Sequence, residues 1–528
     1  MNNTGGTSPM PDCLFPSTIS GALHRNALRH PDRAAVIQRC TSGSRHELSY
    51  RQLNKSANRF ANGLRELGVG RDDIVMVSSG NRVQCLIAYY ATLRCGATFT
   101  AVAPSLTSRE AEVLASATNP KVVLAENWSD EGVKTLGSTA DIRLAFTSEA
   151  TTSSCGIPAM EEISSIEPEA GPQVAINETD PALIVFTSGT EKFPKPVVIP
   201  HRNFMIATTP SWVIDQYILA SDIFLLLAPI YTMAGIGTVT NLINVGATAI
   251  LLPKLETKLV FDVIASEGVT NTSQTPTFYR RQVKDPAFVE ADFSSLRQCH
   301  VYGGPIPSEA VKQISAKNAA LEWAVYWGQS ELTQLGISGT FLSLEQIPGQ
   351  DLRWIGTPMQ AVEIRVVDED GRDSEIGELL CRSPGIMAGY YRQPDLTAET
   401  VVSGWLHTGD IVRVDEDLNV FFLDRRKDMI KTGGMNVSSA EVEAVLRSHP
   451  MVNDAAVVGR PDPEWSEIVY AFVEVVDAMS WEEELIRNYC SDQLAPYKRP
   501  KIYERVDSLP TDEQGKISKR ELRARLLS

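Results

Sequence analysis

Apolar residues recur along most of the chain with two alternating periods. In SYRQLNKSANRFANGLREL, Ser49 to Leu67, the residues Leu53, Ala57, Phe60, Leu64 and Leu67 fall three or four positions apart. That is the spacing of one helix face, and it predicts an amphipathic helix. DIVMVSS, Asp73 to Ser79, is a short unbroken apolar run and predicts a buried strand. RVQCLIAYYATLRCGATFTAVAP, from Arg82, then predicts a helix, a glycine stop and another strand. Such alternation argues for an α/β fold with largely parallel sheets. Residues 125–180 break the rhythm: TSEATTSSCG and EEISSIEPEAGP are polar and acidic, and predict a surface excursion with short elements. No internal repeat is visible. The texture changes again near Asp424. VFFLD is strand-like, RRKDMIKTGGMNVSS is charged and carries glycines, and SAEVEAVLRSHP predicts a helix with a serine cap. A joint at the charged stretch predicts a large N-terminal domain, residues 1–426, and a small C-terminal domain, residues 427–528.

Length supports more than one structural unit, because 528 residues exceed what a single core accommodates. Apolar residues at 43% and charged residues at 22% suit a soluble globular protein. The formal charge of -16, without a long basic run, repels phosphate backbones and anionic membranes, so nucleic acid is not expected as a partner. Apolar runs such as Ile223 to Ala228 are too short to span a bilayer, so no membrane insertion is expected. The N-terminus, Met1 to Pro16, lacks the basic and apolar regions of a signal peptide. The eight cysteines are scattered without a CxxC pair. Reduced thiols in a cytoplasmic enzyme fit this better than a disulfide scaffold or a zinc site. Nothing in the sequence sets an oligomeric state.

Candidate chemistry starts at FTSGTEKFPKPVVIPHRN, Phe186 to Asn203, which leaves the strand-like segment Leu183-Ile184-Val185-Phe186. The hydroxyls of Thr187, Ser188 and Thr190, the backbone around Gly189 and the charge of Lys195 could together wrap an anion. The segment lacks the GK[ST] ending of a Walker A loop, and a plain turn between strands fits it equally well. Four further segments follow: VYWGQSE (Val325 to Glu331), GWLHTGD (Gly404 to Asp410), FFLDRRKDMIKTGG, and LPTDEQGKISKRELRARL with Lys516 after Gly515. Each alone is weak. Together, and in this order, they resemble the adenylate-forming superfamily of acyl-CoA synthetases, peptide-synthetase adenylation domains and luciferases. The resemblance runs from Leu23 to Leu526.

That resemblance implies a large N-terminal domain of stacked sheets and helices with a small, mobile α+β C-terminal lid. It implies ATP as a substrate, Mg²⁺, and an acid activated as its acyl-adenylate. TSGTEKFPK looks like the loop that handles the β- and γ-phosphates. Ser330 matches the hydroxyl at the α-phosphate, and Glu331 the carboxylate that holds Mg²⁺. Gly303, Gly304 and Pro305 of YGGPIP, with Tyr326, Trp327 and Gly328, match the adenine slot. Asp410 matches the ribose-binding aspartate and Arg425 its neighbouring ribose and phosphate contact. Lys427 sits at the hinge position. Lys516 matches the lysine that bridges the acid and the α-phosphate. The chemistry agrees, since a carboxylate attacking a polyanion needs positive charge and positioning.

The chain departs from the family pattern, which is closer to TSGTTGxPKGV, at Glu191, Lys192 and Pro196. A working loop that is stiffer at Pro194 and Pro196 is expected. In LAPIYTMAGIG the family usually has a ring after the aromatic residue. Here Thr232 follows Tyr231, ahead of Gly235. This segment borders the acid pocket, so either a larger pocket or a neutral packing change is expected. NTSQTPTFY, Asn271 to Tyr279, is a second pocket segment. No cation besides Arg280 stands ready to pair a second carboxylate, and no aspartate to hold an ammonium. An apolar or aromatic monocarboxylic acid is therefore favoured. Gly433 and Gly434 would let a pantetheine arm approach the backbone, which favours CoA as acceptor. An amine, as in a free-standing amide ligase, is the alternative, and a non-catalytic nucleotide- or acyl-binding protein is less favoured.

Overall fold

The computed structural model describes residues 18–146, 157–164, 170–187, 194–334, 336–433, 435–476, 481–512 and 516–527. Two large sheets face each other across a layer of helices. In the seven-stranded sheet, Ile74–Ser78 lies between the parallel strands Thr98–Val102 and Val122–Ala125, and Pro181–Thr187 and Lys195–Pro200 form an antiparallel pair. In the second, fourteen-stranded sheet, Ile223–Leu226, Asn271–Gln274, Gln298–Tyr302 and Glu322–Trp327 run parallel in that order. Antiparallel strands Ile337–Phe341 and Trp354–Pro358 then lead to Val420–Arg425 and Trp405–Val414.

The α/β reading is therefore met, and the helices form for the reasons their sequences suggest. Tyr50–Glu66 opens with a capping box between Ser49 and Gln52. Its apolar stripe of Leu53, Ala57, Phe60 and Leu64 is fully buried, while Leu67 lies past the helix end and is exposed. Val83–Arg94 is buried nearly all round, because it is sandwiched between the sheets. One core, between the sheets, joins Val75, Phe99 and Val185 of the smaller sheet to Phe224, Leu226, Tyr302 and Tyr326 of the larger. A second, on the other face of the larger sheet, holds Leu225, Val301, Trp323 and Val325.

One expectation needs correction. The 125–180 segment is not wholly a surface excursion, since Ile142–Ala145 adds an edge strand to the smaller sheet. Trp128, Val133, Leu136 and Leu144 within it are buried. Its short strand is too brief for a period to emerge from the polar background.

The larger sheet ends at Arg425, and a separate five-stranded sheet starts at Ile430–Thr432. Between them lies a turn closed by bonds from the Asp428 and Met429 N–H groups to the Arg425 carbonyl, at 2.8 and 3.1 Å. The second body has cores of its own, built on Val442, Val457, Val473 and Ile486 and on Val458, Phe472 and Leu522. Its helix Ser439–Ser448 is capped by Ser438. No helix among the described residues is long and apolar enough to cross a membrane, and six cysteines among them are free thiols.

Candidate active site

Several of the candidate residues come together where the two bodies meet. The strand Gln298–Tyr302 ends at Gly303, whose φ of +75° turns the chain sharply. Lys516, from the C-terminal body, lies over that glycine: a Cβ at Gly303 would fall 2.5 Å from Lys516 Cε. The positive φ favours glycine there, and a side chain would displace the end of Lys516. The ammonium stands 5.9 Å from the centre of the Tyr302 ring. Burial, aided by nearby Arg425, holds Lys516 below the ordinary lysine range, while Asp512 and Asp410 act in the opposite sense.

Asp410 is 1% exposed. One carboxylate oxygen accepts from Trp327 Nε1 at 2.8 Å and from Gln329 Nε2 at 3.1 Å. The other lies 3.1 Å from Arg425 Nε without a hydrogen bond. Asp410 and Arg425 are cross-strand partners, so the pairing of their two strands places them together. Asp410 in turn holds the Arg425 guanidinium above its ordinary range. A buried acceptor oxygen left free beside a cation suits a ligand hydroxyl.

Glu331 follows Ser330 in a single 3₁₀ turn, beside the exposed Gly328. Its Oε1 accepts from the Tyr390 hydroxyl at 2.8 Å. Lys195 Nζ stands 5.6 Å over the ring of the same tyrosine. Among the described residues no three metal-binding side chains cluster. Mg²⁺ at phosphate sites takes one or two carboxylates and fills its shell with phosphate oxygens and water, so a single glutamate fits that ion.

Thr187 and Lys195, the two stems of the suspected phosphate loop, are cross-strand neighbours. Pro196 also lies in the strand, opposite Phe186, rather than in the loop. Ser188, Gly189, Thr190, Glu191 and Lys192 lie outside the described residues, as does Gly434.

Other placements differ from the sequence reading. Tyr326 and Trp327 are adjacent in a strand and so face opposite ways. Trp327 joins Asp410, whereas Tyr326 stacks on Tyr302 at 5.4 Å and bonds Ser273 between the sheets. Thr232 caps the helix Met233–Val245, accepting from Gly235 N at 3.2 Å and donating to the Pro229 carbonyl at 2.7 Å. Its hydroxyl is committed to the turn. Gly235 is fixed by the same turn, since a Cβ there would fall 2.0 Å from the Pro229 carbonyl oxygen. Gly304 packs on Pro276, with Pro305 half-buried beyond it. Tyr231 is half-buried against the core between the sheets. Gly433, at φ +56°, lies under Trp465, whose indole is 41% exposed and stands 5.4 Å below Lys501 Nζ.

Arg280 does not await a second carboxylate. It pairs with Asp454 of the C-terminal body at 3.1 Å, and Lys284, one turn on, bonds Asn453. Asp454 is also held by Arg447 at 2.6 Å. The pair therefore ties the two bodies in the arrangement that places Lys516 in the site. Arg280→Ala should weaken that arrangement by about 1 kcal/mol, the scale of a half-buried ion pair. Arg447 would keep Asp454 paired and the fold intact. On the adenylate-forming chemistry that the resemblance implies, acid-dependent pyrophosphate release should fall roughly fivefold, with acyl transfer from supplied adenylate unchanged. An equal loss in both half-reactions would show that the pair holds the fold rather than the arrangement.

Residues 23–391 match the model of the AMP-binding enzyme family, and residues 441–516 that of the AMP-binding enzyme C-terminal domain. The chain belongs to the AMP-binding enzyme family. A fatty acid–[acyl-carrier-protein] ligase, ScoC of Streptomyces coeruleorubidus, is 31% identical over 94% of this chain and 98% of its own. 4-Coumarate–CoA ligase 2 of Oryza sativa subsp. japonica is 30% identical over 98% and 94%. Among solved structures, the amide bond synthetase McbA from Marinactinospora thermotolerans superposes with a TM-score of 0.82 at 25% identity, covering 96% of this chain and 99% of that one. This AMP-binding enzyme is an AMP-forming acid ligase.

The sequence reading missed Tyr390, which links Glu331 to Lys195. It comes from a two-residue strand, Gly389–Tyr390, paired with the strand that follows the phosphate loop. Only that long-range pairing brings it in. Gln329, between Gly328 and Ser330, was visible within its motif but carries no chemical signature of its own.

Proposed function

We propose that the enzyme joins a carboxylic acid to the AMP moiety of ATP and then passes the acyl group to the thiol of CoA, with AMP leaving as the carbon–sulfur bond forms and the thiol proton released. The observation that carries this reading is the position of Lys516 over Gly303 and Tyr302, next to Arg425 and Asp410. In the first step a carboxylate oxygen forms a bond to the α-phosphorus, and the bond from that phosphorus to pyrophosphate breaks. Both partners are negative, and charge moves onto the leaving pyrophosphate as the bonds exchange. Lys516 bridges them, Ser330 donates to the α-phosphate, and Asp410 and Arg425 hold the ribose. Trp327 and the Gly303–Pro305 turn flank the adenine. Glu331, oriented by Tyr390, would hold Mg²⁺, which offsets phosphate charge when bound. Thr187 and Lys195 anchor the loop, with Ser188, Gly189 and Thr190, around the leaving pyrophosphate. The acid lies on the inner face of the larger sheet, towards Tyr231 and Thr232.

For the second step the bodies must change their relation, because Lys516 fills the approach to the carbonyl. We place the domain boundary at 426/427 and the hinge at Lys427. Gly433 and Gly434 are the pair along which a pantetheine arm would then approach the backbone, once Trp465, which lies over Gly433, has moved aside. That pair of glycines favours CoA over a free amine. An amide ligase remains the second reading, supported by the likeness to an amide bond synthetase.

Enzyme, ATP and an accepted acid, given CoA in one tube and a panel of amines in another, decide the acceptor. Thioester formed at the rate of pyrophosphate release supports the proposal. Stoichiometric amide with traces of thioester would replace it with the second reading.

The altered phosphate loop gives another expectation. Because Pro196 belongs to the strand, the loop is tested at Lys192 alone: Lys192→Gly should shift the Michaelis constant for ATP and the turnover number while leaving the order of acid preference unchanged. A new order of acids would show that the loop reaches beyond the leaving group.

A further inference from the structure

The inner face of the larger sheet carries an unusual row of side chains. Leu226 sits opposite Ser273, Ser273 opposite His300, and His300 opposite Ala324; one step further along, Tyr302 sits opposite Tyr326. Since alternate strand residues share a face, His300 points the same way as Tyr302, into the core between the sheets. A path of ring contacts leads down from the reactive centre. Lys516 Nζ is 5.9 Å from the Tyr302 ring, Tyr302 is 5.4 Å from Tyr326, Tyr326 is 6.1 Å from His300, and His300 is 6.3 Å from Trp212, nearly parallel to it.

At the far end of this path, hydrogen-bonding atoms have no partner among the described residues. Trp212 Nε1 and His300 Nε2 are both unpaired, and each residue is 1% exposed. The carboxamide of Gln216, four residues beyond Trp212, is buried with both ends unpaired. The chain's other buried tryptophans are paired, although the hydroxyls of the buried Tyr90 and Tyr503 also lack partners among the described residues. Trp128 donates to the Leu144 carbonyl, Trp323 to Ser315 and Trp327 to Asp410, at 2.9, 2.9 and 2.8 Å. The buried His201 accepts from the Ile19 N–H. Each buried polar group left unmade costs about 1–3 kcal/mol, so two on neighbouring rings mark a place where something else completes them.

We infer that the acid accepted here carries an uncharged hydrogen-bonding group, a hydroxyl or a carbonyl, remote from its carboxylate, and that Trp212 and His300 recognise it. The inference rests on the proposed function, which sets the carboxylate at Lys516. Trp212 can only donate, so the substrate group must accept. Burial pushes the His300 imidazole down to about 3, Arg297 acting in the same direction. It is therefore neutral near pH 7 and offers either a donor or an acceptor. Neither ring supplies the full charge that a second carboxylate or an ammonium would need. The rings that His300 contacts besides Trp212 are Phe224 and Tyr326, so the rest of the acid runs along apolar and aromatic walls.

Matched acids test this: octanoic against 8-hydroxyoctanoic, cinnamic against 4-hydroxycinnamic, and phenylacetic against 4-acetylphenylacetic acid, each followed by ATP-dependent pyrophosphate release. In at least one pair the polar member should exceed its parent about tenfold or more in kcat/KM, because a site built to pair a substituent rejects the acid that lacks it. Trp212→Phe removes the N–H and keeps an aromatic ring. It should bring that ratio to near one, and because the readout is a ratio, any loss common to both acids cancels. His300→Leu should do the same, and His300→Gln, which can still hydrogen-bond, should retain part of the preference. Preference for the parent acids throughout, or a ratio unmoved by Trp212→Phe and His300→Leu, would overturn the inference and leave internal water as the partner of these atoms. Absence of pyrophosphate with every acid, polar or not, would overturn the acid-activating reading itself.

Discussion

Lys516→Ala is expected to lower acid-dependent pyrophosphate release by about 10²–10³-fold, the scale of removing one preorganised charge donor from a transition state. Acyl transfer from supplied acyl-adenylate should be nearly unchanged, because the bond to phosphorus already exists when that step begins. The asymmetry follows from position. Lys516 enters from the C-terminal body and lies over Gly303, with its ammonium near the Tyr302 ring. Its depressed proton affinity adds a second signature. Burial and Arg425 disfavour the charged form, so the free enzyme sheds this proton at a lower pH than the ordinary lysine value of about 10.4. The sign is then fixed. Adenylation needs the charged lysine, so kcat/KM should fall on the alkaline side of the profile below that value. Lys516→Arg, whose guanidinium does not titrate in this range, should be slower but lack that limb. An alanine variant that still adenylates near the wild-type rate, or an arginine variant with an unchanged alkaline limb, would remove Lys516 from the reaction.

Much of this site is legible in the sequence because its parts lie in short contiguous stretches. Asp410 ends GWLHTGD, Ser330 and Glu331 end VYWGQSE, and Lys516 follows Gly515. Their order along the chain is what carries the resemblance. The helix over residues 49–67 is equally readable, since its core stripe has an unbroken period. What escapes is what depends on pairing between distant segments. Tyr390 reaches Glu331 only through the strand beside Lys195–Pro200. Arg280 meets Asp454 only because the two bodies dock. Tyr326 and Trp327 look like one aromatic patch, yet the pleat of the strand sends them to different compartments. Thr232 reads as a lost ring in a pocket, but its hydroxyl is explained by the helix it caps. His300 and Trp212 are 88 residues apart by number and give no motif at all.

The other large effect is expected at the joint. Lys427→Pro should depress one half-reaction far more than the other, about tenfold or more, with the fold intact. Lys427 is the third residue of the turn that Asp428 N closes on the Arg425 carbonyl at 2.8 Å. Proline is disfavoured at that position of a common turn, because it restricts the residue before it as well as itself. The arrangement that puts Lys516 over Gly303 would be strained, and its escape to the transfer arrangement restricted, by different amounts. Among the described residues no apolar core spans the joint, which is crossed instead by hydrogen bonds such as those from Ser439 to Asp424: the larger sheet ends at Arg425, and the next core begins with Ile430. Folding should therefore survive, and a melting temperature close to wild type would confirm that the loss is conformational. Burial brings the Lys427 ammonium down to about 8, Arg425 acting in the same direction. Lys427→Ala, which removes that charge but leaves the backbone free, is the matched control. If the hinge lies here, the alanine variant keeps both half-reactions in proportion and the proline variant does not. Equal losses in both half-reactions of Lys427→Pro would move the hinge elsewhere in the Arg425–Met429 turn.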